Sequence, residues 1–291
     1  MSDADAAVGT AAGQYDAGAS FGARLAAAIA RHGRLCVGID PHPSLLSAWG
    51  LGDDVDGLRA FSLGTVEALA GRLPAVKPQV ALYERHGSAG MAVLEETLAA
   101  CREAGLLSIA DAKRGDIGST MAAYADAWLR DGSRLAADAV TLSPYLGFES
   151  LRPALDLARA SGRGVFVLGL TSNPEGAQVQ HAGGADSVAK RIVEAAAAEN
   201  AGAVPFGSTG LVVGATTATA AAGLGIDLAA SSAPLLAPGL GAQGATGADL
   251  KAAFADCFGQ LLATSSRGVL AAGPDAGALL ERALRTRDEL G

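Results

Sequence analysis

Short runs of β-branched residues and leucine, each ending in polar residues, alternate along the chain with longer stretches rich in Ala, Leu, Glu and Arg. The short runs have the length of strands and the longer stretches the period of helices. Strands are predicted over residues 35–40, 74–78, 106–111, 138–142, 164–170, 210–214, 234–238 and 260–263. Helices are predicted between them over 55–71, 82–104, 117–130, 148–161, 187–202 and 216–223. Near-continuous apolar strands separated by helices describe a parallel sheet covered on both faces. Eight repeats predict a single (β/α)8 TIM barrel over residues 19–291, preceded by a flexible arm over residues 1–18. A doubly wound sheet is the alternative.

Composition narrows the function classes. A chain of 291 residues is long for one domain but ordinary for a barrel. The formal charge of −8, with no cluster of Lys and Arg, argues against a nucleic-acid partner. Cys36, Cys101 and Cys257 are isolated and odd in number, which indicates neither a disulfide framework nor a zinc site and fits a reducing cytoplasm. Residues 1–18 lack the charged and apolar regions of a signal peptide, and no apolar run reaches membrane-spanning length. A cytoplasmic enzyme with no membrane partner is expected.

Barrels carry their chemistry at the C-terminal ends of the strands. The polar residues falling there are Asp40, Lys77, Asp111 with Lys113, Ser143, Thr171 with Ser172, the segment 238–243 and Arg267. Asp111 and Lys113 stand two apart, so a regular strand would turn both side chains to the same side. Asp116 follows where a helix begins, and taken alone it reads as an N-cap. Taken alone, Asp111 with Lys113 reads as a solvated ion pair of little energetic consequence.

The choice of cation tells against that plain reading. Of 22 basic residues only four are lysines, at positions 77, 113, 190 and 251, yet both basic residues ending the second and third strands are lysines. An ammonium can approach one atom and give up a proton, whereas a guanidinium effectively does not. Carboxylates beside Lys113 favour its charged form, which suits a proton donor and opposes the neutral amine of a Schiff-base aldolase. Unit charges about 4 Å apart at an effective dielectric of 20 interact by about 4 kcal/mol, enough to influence a reaction. A substrate carboxylate beside Asp111 would be repelled, and a carbanion beside Lys113 stabilised.

Residues 238–244, Pro-Gly-Leu-Gly-Ala-Gln-Gly, contain a formal G-x-G-x-x-G. A dinucleotide fingerprint belongs in an opening βαβ unit, and this one lies near the end of the chain. Glycines after the seventh strand instead let backbone N–H groups approach an oxyanion, aided by the start of the following helix. Arg267, after the eighth strand, can grip a phosphate bidentately. Standing alone it would read equally well as a surface residue in a turn.

Together these residues resemble the orotidine 5′-monophosphate decarboxylase family, in particular its longer bacterial branch. The family pattern D-x-K-x-x-D-I-x-x-T is matched by Asp111, Lys113, Asp116, Ile117 and Thr120. Asp40, Lys77, Ser143 in Thr-Leu-Ser-Pro-Tyr, the loop holding Pro238, Gly239, Gly241 and Gln243, and Arg267 complete it. The resemblance implies decarboxylation of orotidine 5′-monophosphate in de novo pyrimidine biosynthesis, without cofactor or metal. It implies that Lys113 protonates C6, that Asp111 faces the departing carboxylate and that Lys77 bridges Asp111 and the ribose. Asp40 would bind ribose hydroxyls, Ser143 the pyrimidine edge, Gln243 both base and phosphate, and Arg267 with the glycine loop the phosphate. Asp116, with Thr120, would come from the neighbouring subunit in a homodimer with shared active sites, and Ile117 would contact the substrate.

Related lyases use Mg²⁺ and a sugar phosphate, and place a carboxylate where Lys77 stands. A non-catalytic nucleotide-sensing dimer would need Gln243 and Arg267 but not Lys113. Loops 41–54 and 171–186 have no assigned role, and His42 and His181 within them are expected to pack in the loops or lie at the surface, since neither has a second ligand at metal spacing.

Overall fold

The computed structural model describes residues 18–241 and 244–291. The expected arm therefore lies outside the described residues, apart from Gly18, and so does Gln243. Eight parallel strands run in the order β1 Leu35–Ile39, β2 Ala75–Pro78, β3 Leu107–Arg114, β4 Ala139–Leu142, β5 Gly164–Leu170, β6 Thr209–Val213, β7 Leu235–Pro238 and β8 Leu261–Ser265. They pair in sequence order, and β8 returns to pair with β1, closing the barrel and excluding the doubly wound alternative.

The strands read as unbroken apolar runs because both faces are covered. Cys36, Ala75, Ile109, Ala139, Phe166, Val212, Leu236 and Leu262 fill the barrel interior. Their neighbours Val37, Val76, Ala110, Val140, Val165, Leu211, Leu235 and Leu261 join the outer cluster under the helices. The two-residue period is present but hidden, since inward and outward positions are equally apolar.

A helix outside the predicted alternation, Phe21–His32, seals the lower mouth. Ser20 caps it, accepting from the Ala23 N–H at 3.3 Å. Phe21, Leu25, Ala28 and Ile29 recur on one face and join the interior cluster. Phe21 meets Phe166 edge to face with ring centroids 5.9 Å apart. Gly164 and Gly210 leave room for these rings, because a Cβ at either position would overlap Phe21 or Phe166. Arg24 ties the helix to Asp138 at 2.5 Å.

Two predicted helices divide. Residues 82–104 form Ala81–Glu84 and Gly87–Glu103, broken where Arg85 forks onto Asp53 (2.8 and 2.7 Å) and Gly87 takes a positive φ of 62°. Residues 148–161 begin as a 3-10 turn, Phe148–Leu151, before the helix Arg152–Ala160. Loop 41–54 is a buttress for the upper rim. It carries the helix Pro43–Ala48, packs Trp49 on Phe61 at 4.3 Å, and donates the Trp49 indole N–H to the carbonyl of Leu270 at 2.8 Å. Leu270 ends the four-residue helix that Arg267 begins.

Candidate active site

Asp111 is the centre of a charge array at the upper end of the barrel. From β2, Lys77 Nζ donates to Asp111 Oδ2 at 2.7 Å, while Lys113 Nζ donates to Oδ1 at 2.6 Å. From β4, the Thr141 hydroxyl donates to the same Oδ1 at 2.9 Å. Burial alone would push the Asp111 carboxyl up, but the two ammonium groups outweigh it and hold the group well below the usual carboxylate range. Burial likewise disfavours the charged Lys77, yet Asp111 and Asp40 outweigh that and raise its affinity for the proton. The pair stays ionised at neutral pH. Three donors satisfy a carboxylate that is only 9% exposed.

The approach of Lys113 differs from the regular strand expected. Pairing of β3 with β4 shifts register between Ala110 and Arg114, and Lys113 takes φ +47°. Its N–H donates to Thr141 Oγ1 at 2.9 Å, and its long stem returns the ammonium to Asp111. Arg114 clamps the far side of this bulge. Its guanidinium donates to the Ala112 carbonyl, pairs with Glu84, and lies 5.8 Å from both the Tyr124 and Trp128 ring centroids. The Lys113 side chain is 46% exposed, so the distal end of the array faces open space while Lys77 is locked behind it.

That space is a cavity of about 850 Å³, lined by Asp40, Lys77, Asp111, Lys113, Pro238, Gly239 and Arg267. Asp40 brings a buried carboxylate oxygen that has no hydrogen-bond partner among the described residues. An orphaned buried acceptor of this kind fits a ligand hydroxyl. Gly38 permits the arrangement, because a Cβ there would overlap the Ser266 hydroxyl and crowd Asp40. After β7, Gly239 has φ +121°, a conformation only glycine adopts readily. Arg267 has no carboxylate partner among the described residues and is available to an anion.

Other expected residues are placed differently. Gly241 is exposed and does not line the cavity, and its N–H is committed to the Ala245 carbonyl at 2.9 Å, so it shapes the loop. The start of the next helix, Gly247–Ala253, is closed by its own capping box of Thr246 and Asp249. It brings a carboxylate to its own N-terminus, contrary to the expected help with an oxyanion. Asp116, Ile117 and Thr120 do not line the cavity of their own barrel. Asp116 accepts from the Ile117 N–H at 2.7 Å, while Ile117 occupies the N-cap position, which corrects the simple capping role for Asp116. Ser143 also lies off the lining, with its N–H bonded to the Arg114 carbonyl at 2.7 Å.

Some lining residues escape sequence reasoning. Thr141 reads as one more β-branched residue of a buried strand. His42, expected in loop packing or at the surface, lines the cavity. Loop 171–186 supplies Thr171, Asn173, Val179 and Gln180 to the wall. Thr171 and Gln180 bind each other twice, N–H to Oε1 at 2.9 Å and Nε2 to Oγ1 at 2.6 Å, closing the loop on itself. The polar strand end announces Thr171 and Ser172, whereas no local pattern announces the turn that brings Asn173, Val179 and Gln180 to the wall.

Comparison with known proteins agrees with this geometry. The sequence matches the family described as "Orotidine 5′-phosphate decarboxylase / HUMPS family" over residues 33–282. A protein of Salinispora arenicola named orotidine 5′-phosphate decarboxylase is 58% identical over 262 residues, 89% of this chain and 93% of that one. A crystal structure from Streptomyces avermitilis, assigned as an orotidine 5′-phosphate decarboxylase, superposes with a TM-score of 0.90 at 55% identity, covering 94% of this chain and 95% of its own. The OMP decarboxylase of Leishmania donovani follows at a TM-score of 0.72 and 31% identity, over 92% and 99% of the two chains. Matched from before β1 to within the last helix, and carrying the charge array at the upper end of its barrel, the chain belongs to the orotidine 5′-phosphate decarboxylase / HUMPS family.

Proposed function

We propose that the chain converts orotidine 5′-monophosphate to uridine 5′-monophosphate and CO₂, in the cytoplasm, by carbanion stabilisation that requires neither metal nor organic cofactor. The observation that carries this reading is the Asp111 carboxylate held between the Nζ atoms of Lys77 and Lys113, with Lys113 facing the cavity.

The phosphate binds Arg267 and the backbone near Gly239, and the ribose hydroxyls take the unpartnered oxygen of Asp40. Gln243 links base to phosphate, and Ser143 reads the pyrimidine edge after the rim closes. These contacts, remote from the reacting carbon, offset the cost of seating the substrate carboxylate beside Asp111. The C6–carboxylate bond then breaks, CO₂ departs, and its electron pair stays on C6. Lys113 stabilises that carbanion and delivers a proton from Nζ to C6, after which water restores the ammonium. Lys77 keeps Asp111 ionised and oriented, so the field is in place before the reaction begins.

A homodimer with shared sites completes the reading. The β3 and β4 loops touch where Ser143 bonds to Arg114. On that rim Ile117, Tyr145 and Leu146 are 62%, 79% and 54% exposed. An apolar rim of this kind suits burial against a second copy, which would bring Asp116 and Thr120 to the neighbouring cavity.

Lys77 favours this chemistry over the Mg²⁺-dependent lyases of the same family, because a buried ammonium beside Asp111 would repel a dication. The test follows loss of the orotate absorbance of orotidine 5′-monophosphate with and without chelator. Equal turnover in both supports the proposal. Turnover that stops with chelator and returns with Mg²⁺ contradicts it.

A further inference from the structure

We propose that Thr141 is a positioning residue for the proton donor, locking Asp111 and Lys113 to one another across the β3 bulge. A hydroxyl has one proton to give and lone pairs to receive. Thr141, 1% exposed on β4, uses both: it donates to Asp111 Oδ1 at 2.9 Å and accepts from the Lys113 N–H at 2.9 Å. Both partners lie within the stretch of β3, between Ala110 and Arg114, where the ladder loses register. Lys113 there adopts φ +47°, which a non-glycine residue keeps only when its surroundings hold it.

The bonding also fixes which way the carboxylate turns. Oδ1 takes Thr141 and Lys113, leaving Oδ2 to Lys77. Without the hydroxyl, Asp111 can rotate about its side-chain bonds, and the Lys113 N–H loses its acceptor. The ammonium would then start from a broader range of positions, which slows proton delivery while leaving the phosphate and ribose contacts intact. Thr141 thus acts through its two partners and should affect kcat more than binding.

This inference rests on the decarboxylase reading, so the parental chain is assayed beside every variant. Thr141→Val keeps the shape and removes the hydroxyl, and it should lower kcat about 10- to 100-fold, the scale of a lost hydrogen bond to a charged group. Its Kd for uridine 5′-monophosphate should stay within about threefold, and Thr141→Ser should restore kcat to within about threefold of parent. A purely structural role would lower the melting temperature without changing turnover of the folded enzyme. Parental kcat in Thr141→Val, equal losses in Val and Ser, or a loss confined to KM and Kd would each overturn the proposal while an active parent upholds the decarboxylase reading. If the valine variant does not fold, Thr141→Ala carries the same expectations and the same contrary results. A parent that leaves orotidine 5′-monophosphate intact would remove the reading itself, and this inference with it.

Discussion

Lys77 and Asp111, 2.7 Å apart and both buried, form the fixed end of the charge array, and the half-exposed Lys113 forms its free end. The pair is costly to break on one side only, because the remaining charge stays buried without a partner.

Asp111→Asn should therefore lower the unfolding free energy by about 3–5 kcal/mol at pH 7. The folded carboxyl of Asp111 lies below its ordinary value of 3.8, so its contribution is present above that value and is lost as the pH falls through the folded one. Lys77 lies above its ordinary 10.5, so its contribution is present below that value and fades as the pH rises through the folded one. Urea unfolding of parent and variant should show a constant gap from about pH 5 to 9 that narrows on acidification below about pH 4. A gap that widened in acid would contradict the assignment.

Arg267 tests the phosphate wall. Arg267→Ala should reduce kcat/KM about 10- to 100-fold, the scale of a lost charge-assisted hydrogen bond, with KM rising. A substrate analogue lacking the phosphate should bind parent and variant equally. If the variant discriminated against that analogue as strongly as the parent does, the phosphate would have to bind elsewhere.

Asp116 tests the shared site. Lys113→Ala and Asp116→Ala chains, each inactive alone, should regain about a quarter of parental activity when refolded together, since half the dimers then carry one intact site. Persistent inactivity of the mixture, with heterodimers present by mass, would place Asp116 in its own barrel's chemistry or in none.

The lower mouth should affect stability without affecting chemistry. Gly164→Ala would press a methyl into the Phe21 ring and should cost about 1–3 kcal/mol, as overpacked cores do. Because Gly164 opens β5 and the cavity lies at the strand's other end, kcat at 25 °C should stay at the parental value. A fall in kcat with an unchanged melting temperature would mean the two ends of the barrel are coupled.

Much of this architecture is legible in the sequence because the β/α alternation is strict and each strand is apolar on both faces. Even the polar strand ends are readable, and Asp40, Lys77, Asp111 and Lys113 all reach the cavity. The bulge at Lys113 is not, since a spacing of two implies a shared side only while the strand stays regular. Thr141 is hidden for a related reason: its partners depend on the register between β3 and β4, which no local pattern records. The helix Phe21–His32 carries a readable apolar face but stands before the first repeat, outside the alternation that organises the rest.

Single-turnover conversion of orotidine 5′-monophosphate by Lys113→Ala measures whether Lys113 delivers the proton to C6. A loss of at least about 10²- to 10⁴-fold is expected, the range for removing a general acid, with uridine 5′-monophosphate still bound measurably. Conversion by Lys113→Ala at the parental rate would contradict that role.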